Sequence, residues 1–251
     1  MNNQMFEINH NKSDMYTECR NFFDDKWHLY QKVLINNYMN HQESYQVIKS
    51  LFENSKVSNF KLLDLGCGDS SYISKTLQNI EVSSYIGLDI SKTAIQIAYQ
   101  NTSLLSCERS FIEGDLLSTL PLLNSSSHNV QQYDFILSSF AFHHFNSDLK
   151  DKLFSQIVNL LAPSGKLILV DFLRDEEETR ESYISRYLRL VKQDWKELSN
   201  SEVDLLTEHM MSSDYPETKT TLTSLALKNR FKKVEFLCNK QDMTQICCFS
   251  V

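Results

Sequence analysis

Gly66 and Gly68, one residue apart, follow the run KLLDL, and three acids, Asp64, Asp89 and Asp115, end or follow apolar segments of the first half of the chain. A Gly-x-Gly turn after an apolar strand permits unusual dihedrals and lets backbone approach a ligand closely. Asp89 closes the run YIGLD about one strand-helix-strand unit further on, where a carboxylate can accept both hydroxyls of an adenosine ribose. Asp115 in EGDLL offers a further acid where the adenine amine can be read. Three strand ends thus point to one adenosine-containing cofactor. Adjacent His143 and His144 follow a fourth apolar run and supply groups able to take a proton or orient a substrate.

Two cofactor classes fit this pattern. Gly66 to Ser71 reads G-x-G-x-x-S, close to the G-x-G-x-x-G of dinucleotide enzymes, and the spacing to Asp89 suits them as well. Against a dinucleotide stand Ser71 in place of the third glycine, Asp64 where a pyrophosphate would be repelled, and the absence of an evident second catalytic domain. Asp64 suits a ligand that carries an ammonium group.

The elements that must position these residues alternate. Strands are expected at 60–65, in SSYIGLDIS, RSFIEGDLL, YDFILSSFAFHHF and KLILVDFL. Helices are expected in SSYISKTLQNI, which Ser70 or Ser71 can cap, in KTAIQIAYQNTSLL and in DLKDKLFSQIVNLLA. LPLLNSSSHNVQQ reads as a surface loop and PSG as a turn. Such alternation predicts an α/β fold, a mostly parallel sheet with helices on both faces. Residues 14–53 carry apolar and aromatic groups at helical spacing. The stretch 175–215 opens with a long amphipathic helix, EEETRESYISRYLRLVKQDWKEL. A helix after Pro216 and two strands, RFKKVEFLC and TQICCFSV, end the sequence as an expected hairpin.

The chain has 251 residues and a formal net charge of −7, which gives no general attraction to nucleic acid. Its six cysteines show no C-x-x-C spacing and read as reduced thiols of a cytoplasmic protein. Neither a basic, apolar leader nor a membrane-spanning run is evident, and CFSV departs from a prenylation signal at Ser250.

As a set, LLDLGCGDS, YIGLDIS, FIEGDLL, YDFILSSFAFHHF and LLAPSGKLILVDF resemble, in order and spacing over roughly residues 60–173, the motifs of the class I S-adenosylmethionine-dependent methyltransferases. The departures, Ser70 and Ser164 for glycine and KNRF for the common AGF, remove no side chain that does chemistry. The resemblance implies a Rossmann-like, doubly wound sheet of seven strands with a C-terminal antiparallel hairpin. It also implies S-adenosylmethionine as cofactor and S-adenosylhomocysteine as product. By position, Asp64 would help hold the methionyl ammonium, partly through water, with backbone at Gly66 and Ser138 on the same part of the cofactor and Cys67 and Gly68 in the turn beside it. Asp89 would bind the ribose, Ile90 would pack on the adenine, and Asp115 with Leu116 would take its edge.

On the acceptor side, His143 and His144 are the candidate catalytic residues. Tyr38 and His41, on a helical face with Tyr30, Asn37 and Tyr45, are the candidate substrate-binding residues. Arg186, Arg189, Lys192 and Lys196 read chiefly as the solvated side of a lid helix. Methyl transfer is an in-line displacement whose main demand is to hold a nucleophile opposite the departing sulfur, so no metal is expected. The expected organisation is a helical cap over 1–55, a cofactor-binding core over 56–174, a helical lid over 175–215, and a last helix and strands of the core over 216–251. The expected activity is methylation of an O or N nucleophile of a small molecule by a monomer or weak homodimer. The alternatives are a tRNA or protein methyltransferase, or a non-enzymatic S-adenosylmethionine-binding protein.

Overall fold

Alternate residues of the apolar runs face opposite ways, and that period of two sorts the chain into layers. The computed structural model describes residues 27–125, 132–237 and 244–251. β1 (Phe60–Leu65) sends Leu62 to one face of the sheet, where it packs with Tyr85, Leu137, Ile168 and Val170. Leu63 and Leu65 go to the other face, with Leu88, Ile136, Leu167 and Leu169.

Beyond β1 come α3 (Ser71–Thr76), β2 (Val82–Asp89), α4 (Lys92–Asn101), β3 (Glu108–Glu113), α5 (Leu116–Ser125), β4 (Tyr133–Ser139), α6 (Ser147–Leu160) and β5 (Leu161–Phe172). After two further helices and α9 (Lys219–Lys228), β6 (Lys233–Phe236) and β7 (Thr244–Ser250) complete one sheet of order β3-β2-β1-β4-β5-β7-β6. The first five strands are parallel, and β7 runs antiparallel to both β5 and β6. The expected mostly parallel, seven-stranded sheet with its closing hairpin is therefore present. Among the described residues no helix is long and apolar enough to cross a membrane.

Several boundaries differ from the sequence reading, each for a local reason. The helical run of 14–53, of which 14–26 lie outside the described residues, divides into α1 (Trp27–Ile35) and α2 (His41–Glu53). Asn37 and Asn40 between them take left-handed backbone at φ 53° and 57°, a conformation asparagine tolerates better than most residues. Asn37 is a capping residue: its Oδ1 accepts from Gln42 N and its Nδ2 donates to Glu43. Ser70 does not cap α3; it too is left-handed, and its hydroxyl pairs with Tyr85. Residues 120–125, expected in a loop, extend α5 despite Pro121, because Leu116 and Leu120 bury one face of that helix.

The long helix of the second half also breaks. α7 (Arg180–Asp194) ends before buried Trp195 and Leu198, and α8 (Asn200–Ser213) begins at a reciprocal capping box between Ser199 and Glu202. Lys32 of α1 reaches Glu202 at 2.7 Å and so joins the start of α8 to the N-terminal helices.

Candidate active site

The C-terminal ends of β1, β2, β4 and β5 open into a cavity of ≈160 Å³, roofed by α1, α7 and α8. Its two ends are built differently.

At one end lies the glycine turn. Gly66 has φ +74°, and a Cβ there would stand 2.6 Å from the Cβ of Ala141, so close approach as well as backbone angle requires glycine. Gly68, at φ +52°, borders the cavity, and a Cβ on it would meet no protein atom within 4 Å. Asp89 ties this turn to the next: Oδ2 accepts from Gly68 N at 2.8 Å and Oδ1 from Ser91 N at 2.8 Å. Asp89, Ile90, Asp115 and Leu116 all line the cavity, and Asp115 Oδ2 also accepts from Ser118 N at the start of α5. The cradle fits an adenosine-bearing group: open space against Gly68, a carboxylate at the end of β2, and apolar Ile90 and Leu116 beside it.

Three residues expected here are placed otherwise. Ser138 is fully buried, its hydroxyl on Leu65 O, and its neighbour Ser139 borders the cavity instead. Cys67 turns its Sγ toward Gly87, where a Cβ would lie 2.8 Å away, and burial pushes its thiol pKa up. Asp64 sits behind the cavity wall: Tyr85 donates to its Oδ2 at 2.9 Å, and its buried Oδ1 has no hydrogen-bond partner among the described residues. Burial raises its pKa to about 7, against the lowering effect of the Tyr85 bond.

At the other end of the cavity Phe172, Tyr187, Trp195, Leu206 and Met210 form an apolar wall. A polar cluster interrupts it. His143 and His144 lie in a short 3₁₀ turn (Phe142–His144) after β4, while His209 and Asp214 come from α8 and its C-terminus. His143 Nδ1 is 2.6 Å from Asp171 Oδ1, which also accepts from Phe172 N. Burial works against protonation of His143, but Asp171 and Asp214 outweigh it and its pKa is raised. Burial lowers the pKa of His144, with His143 adding to the effect, and lowers that of His209 to about 3. For Asp214 the surrounding imidazoles overcome burial and hold the carboxyl below its usual value.

Backbone ties hold the two contributing segments together. Tyr215 N donates to His143 O at 2.5 Å, and buried Lys150 donates to Phe145 O at 2.6 Å and Tyr215 O at 2.5 Å. Arg180 donates to Asp214 O and Met211 O, each at 2.6 Å, and stacks over the Tyr215 ring.

The structure therefore brings His143 and His144 to the cavity but not Tyr38 or His41. Tyr38 stacks on Trp195 at 4.8 Å, and its hydroxyl accepts from Glu197 N. His41 packs between Tyr72 and Phe140, beside a smaller recess of ≈30 Å³ next to the glycine turn; burial lowers its pKa to about 4. Of the N-terminal helices and the turn between them, Trp27, Leu29, Tyr30, Val33 and Met39 border the main cavity. Arg186 pairs with Glu178 at 2.6 Å, and Arg189, Lys192 and Lys196 are exposed.

Asp171, His209 and Asp214 escaped the sequence reading. Asp171 carried a signal, being the single acid in the buried run Leu167–Phe172, and the Ser199–Glu202 capping pattern could have revealed α8. Nothing local marks Asp214.

A family model described as a methyltransferase domain matches residues 56–235. An uncharacterized methyltransferase of Bacillus mycoides is 26% identical over 171 residues, 68% of this chain and 74% of that protein. One from Oceanobacillus iheyensis is 25% identical over 202 residues, covering 79% of this chain and 78% of its own length. Among solved structures, magnesium protoporphyrin IX methyltransferase of Synechocystis with bound S-adenosylhomocysteine superposes with a TM-score of 0.64 at 15% identity, over 94% of this chain and 99% of that one. The plantazolicin methyltransferase BpumL, also with S-adenosylhomocysteine, gives 0.65 at 15% identity over 94% of both chains. With the family model spanning most of the sequence and the fold agreeing strand for strand with the expected one, the chain belongs to the methyltransferase-domain family and is a class I S-adenosylmethionine-dependent methyltransferase.

Proposed function

We propose that this enzyme methylates an O or N nucleophile of a small, largely apolar molecule held in the chamber between the sheet and helices α1, α7 and α8. The observation that carries the reading is the chamber wall: Phe172, Tyr187, Trp195, Leu206 and Met210 line the same cavity as the glycine turn, with the histidine and aspartate cluster set among them. Concave, mostly apolar pockets with a few convergent polar groups suit small molecules. When bound, S-adenosylmethionine supplies a methyl group made electrophilic by its sulfonium.

The chain's own residues do the rest. Asp89 holds the ribose, Ile90 and Leu116 flank the adenine, Asp115 takes its edge, and the backbone at Gly66 and Gly68 lies along the cofactor. Asp64 favours the methionyl ammonium from behind the wall, with Ser139 in the place expected of Ser138. His143 and His144 orient the acceptor nucleophile and take up its proton; the apolar wall excludes water and fixes the acceptor's pose. The net charge of −7 and the exposed, solvated placement of Arg189, Lys192 and Lys196 favour a small acceptor over tRNA. Among the described residues Cys67, Cys107, Cys247 and Cys248 form no disulfide, which suits a reducing cytoplasm.

The test pairs calorimetric binding of S-adenosylhomocysteine with transfer of labelled methyl from S-adenosylmethionine to a panel of aromatic hydroxyl and amine compounds, bulk tRNA and protein extracts. Label in the small-molecule fraction is the expected result. Label confined to tRNA or protein overturns the acceptor class, and binding without any transfer favours a sensor.

A further inference from the structure

Asp214 Oδ1 lies 3.2 Å from His144 Nδ1, 3.8 Å from His143 Nε2 and 4.0 Å from His209 Nε2. The last two separations exceed hydrogen-bonding range. Asp214 is 5% exposed, and this oxygen makes no hydrogen bond of good geometry although it is aimed at three imidazoles. A buried carboxylate oxygen without a hydrogen bond is costly, so Asp214 Oδ1 calls for a further partner, and the long contact of His144 Nδ1 to Ser213 O, 3.4 Å, is one that a bound ion would displace.

The spacing identifies the kind of partner. Metal–nitrogen and metal–oxygen bonds of about 2.0–2.2 Å at tetrahedral angles set neighbouring ligand atoms about 3.3–3.6 Å apart, and the observed separations bracket that range. The ligand atoms of His143, His144 and Asp214 all lie within 4.8 Å of one another. His143 has the further mark of a metal-bound histidine: its other nitrogen, Nδ1, is fixed on Asp171 at 2.6 Å, which turns Nε2 toward the cluster. Tyr215 N on His143 O, Lys150 on Phe145 O and Tyr215 O, and Arg180 on Asp214 O make the set rigid.

We propose that His143 Nε2, His144 Nδ1 and Asp214 Oδ1 bind one divalent transition-metal ion of the zinc, iron(II) or cobalt(II) class, with Asp171 as a positioning residue, His209 bordering the set, and the ion's open coordination facing the acceptor chamber. Imidazole and carboxylate donors without thiolate suit these ions. The proposal rests on the functional reading for the role of the ion and replaces direct proton uptake by His143 and His144: a divalent cation at this wall selects acceptors with an ionisable hydroxyl or ring N–H, held as their conjugate base near neutral pH. It departs from the expectation that the enzyme needs no metal.

The full-length protein, stripped with a chelator, is titrated with Co²⁺ and then Zn²⁺. One Co²⁺ per chain is expected, with visible d–d bands of nitrogen and oxygen ligation that Zn²⁺ abolishes. His144→Ala and Asp214→Asn should each weaken binding at least 100-fold, and Asp171→Asn about 10–100-fold. Calorimetry with S-adenosylhomocysteine on the same variants should give affinities within threefold of wild type, which reports their folding. No stoichiometric Co²⁺ in the wild-type protein, a thiolate-to-cobalt charge-transfer band, or equal binding by wild type and folded variants overturns the site. The wild-type spectrum decides the question even where a variant does not fold. Cobalt binding without S-adenosylhomocysteine binding would sustain the site while removing the cofactor reading, so the two fail separately.

Discussion

The glycine-turn end of the cavity takes Gly66, Gly68, Asp89 and Asp115 from turns that directly follow three adjacent parallel strands, and its polar bonds run largely to backbone, as from Asp89 to Gly68 N and Ser91 N. The histidine end takes His143 and His144 from the turn after β4, Asp171 from β5, and His209 and Asp214 from the far end of a separate helix, and there side chains of distant segments face one another, His143 on Asp171 and His144 beside Asp214. Nearest-neighbour geometry makes the first end: a parallel strand that stops beside its partners leaves its next residues at a shared rim. The second depends on where α8 docks, through Lys32 on Glu202, Arg180 on the last carbonyls of α8, and Lys150 on Tyr215. The cofactor end is thus a property of the sheet, and the acceptor end a property of the helices laid over it.

That contrast predicts separable damage. The largest effect is expected from Gly66→Ala, whose Cβ would collide with Ala141 at 2.6 Å in a backbone conformation that L residues rarely adopt. S-adenosylhomocysteine binding should fall 100-fold or more by calorimetry, with about 1–3 kcal/mol of stability lost to overpacking and strain. Retained affinity would show that the turn does not touch the cofactor. Asp89→Ala comes next: loss of a charged acceptor should weaken cofactor binding by about 1.5–3 kcal/mol, and an unchanged dissociation constant in a folded variant would detach β2 from the site.

Asp64 sharpens the comparison through pH. Burial raises its folded pKa from the ordinary 3.8 to about 7, so between these values the folded protein holds a proton that the unfolded chain has released. Stability from this group is therefore greatest at low pH and lost as pH rises through that window, by about 4 kcal/mol. Melting curves from pH 4.5 to 8 should show Asp64→Asn gaining on wild type as pH rises. Parallel curves would mean that Asp64 is not held protonated.

The smallest effect tests the other end. Arg180→Ala removes three hydrogen bonds to the end of α8, to Met210 O, Met211 O and Asp214 O, and the stack on Tyr215. It should cost about 1–1.5 kcal/mol and reduce methyl transfer, with S-adenosylhomocysteine affinity unchanged within twofold. A matching loss of cofactor affinity would show that the two ends are one cooperative unit.

The limits of the sequence reading follow the same division. Asp89, Ile90, Asp115 and Leu116 were legible because each lies within three residues of a strand end. Ser138 turns its hydroxyl back onto Leu65 O, while its neighbour Ser139, on the opposite face of the strand, borders the cavity. Tyr38 and His41 were chosen for their polar tips, but Asn37 and Asn40 turn the chain between α1 and α2, and this rotates which tips reach inward. Tyr38 meets Glu197 and Trp195 of the opposite lid, and Tyr30 meets the cavity.

By itself the sequence determined the order and alternation of strands and helices, the glycine turn, and the acids at the ends of β2 and β3, because each rests on hydrophobic periodicity or backbone freedom over a few residues. Only the tertiary structure decided that α8 folds back over β4 and β5. That placement leaves Asp214 facing three histidines, and no local pattern encodes it, because its energy comes from packing Val203 and Met210 of α8 into the core shared with α7 and the sheet, and from Lys150 and Arg180 securing the segment that carries Asp214.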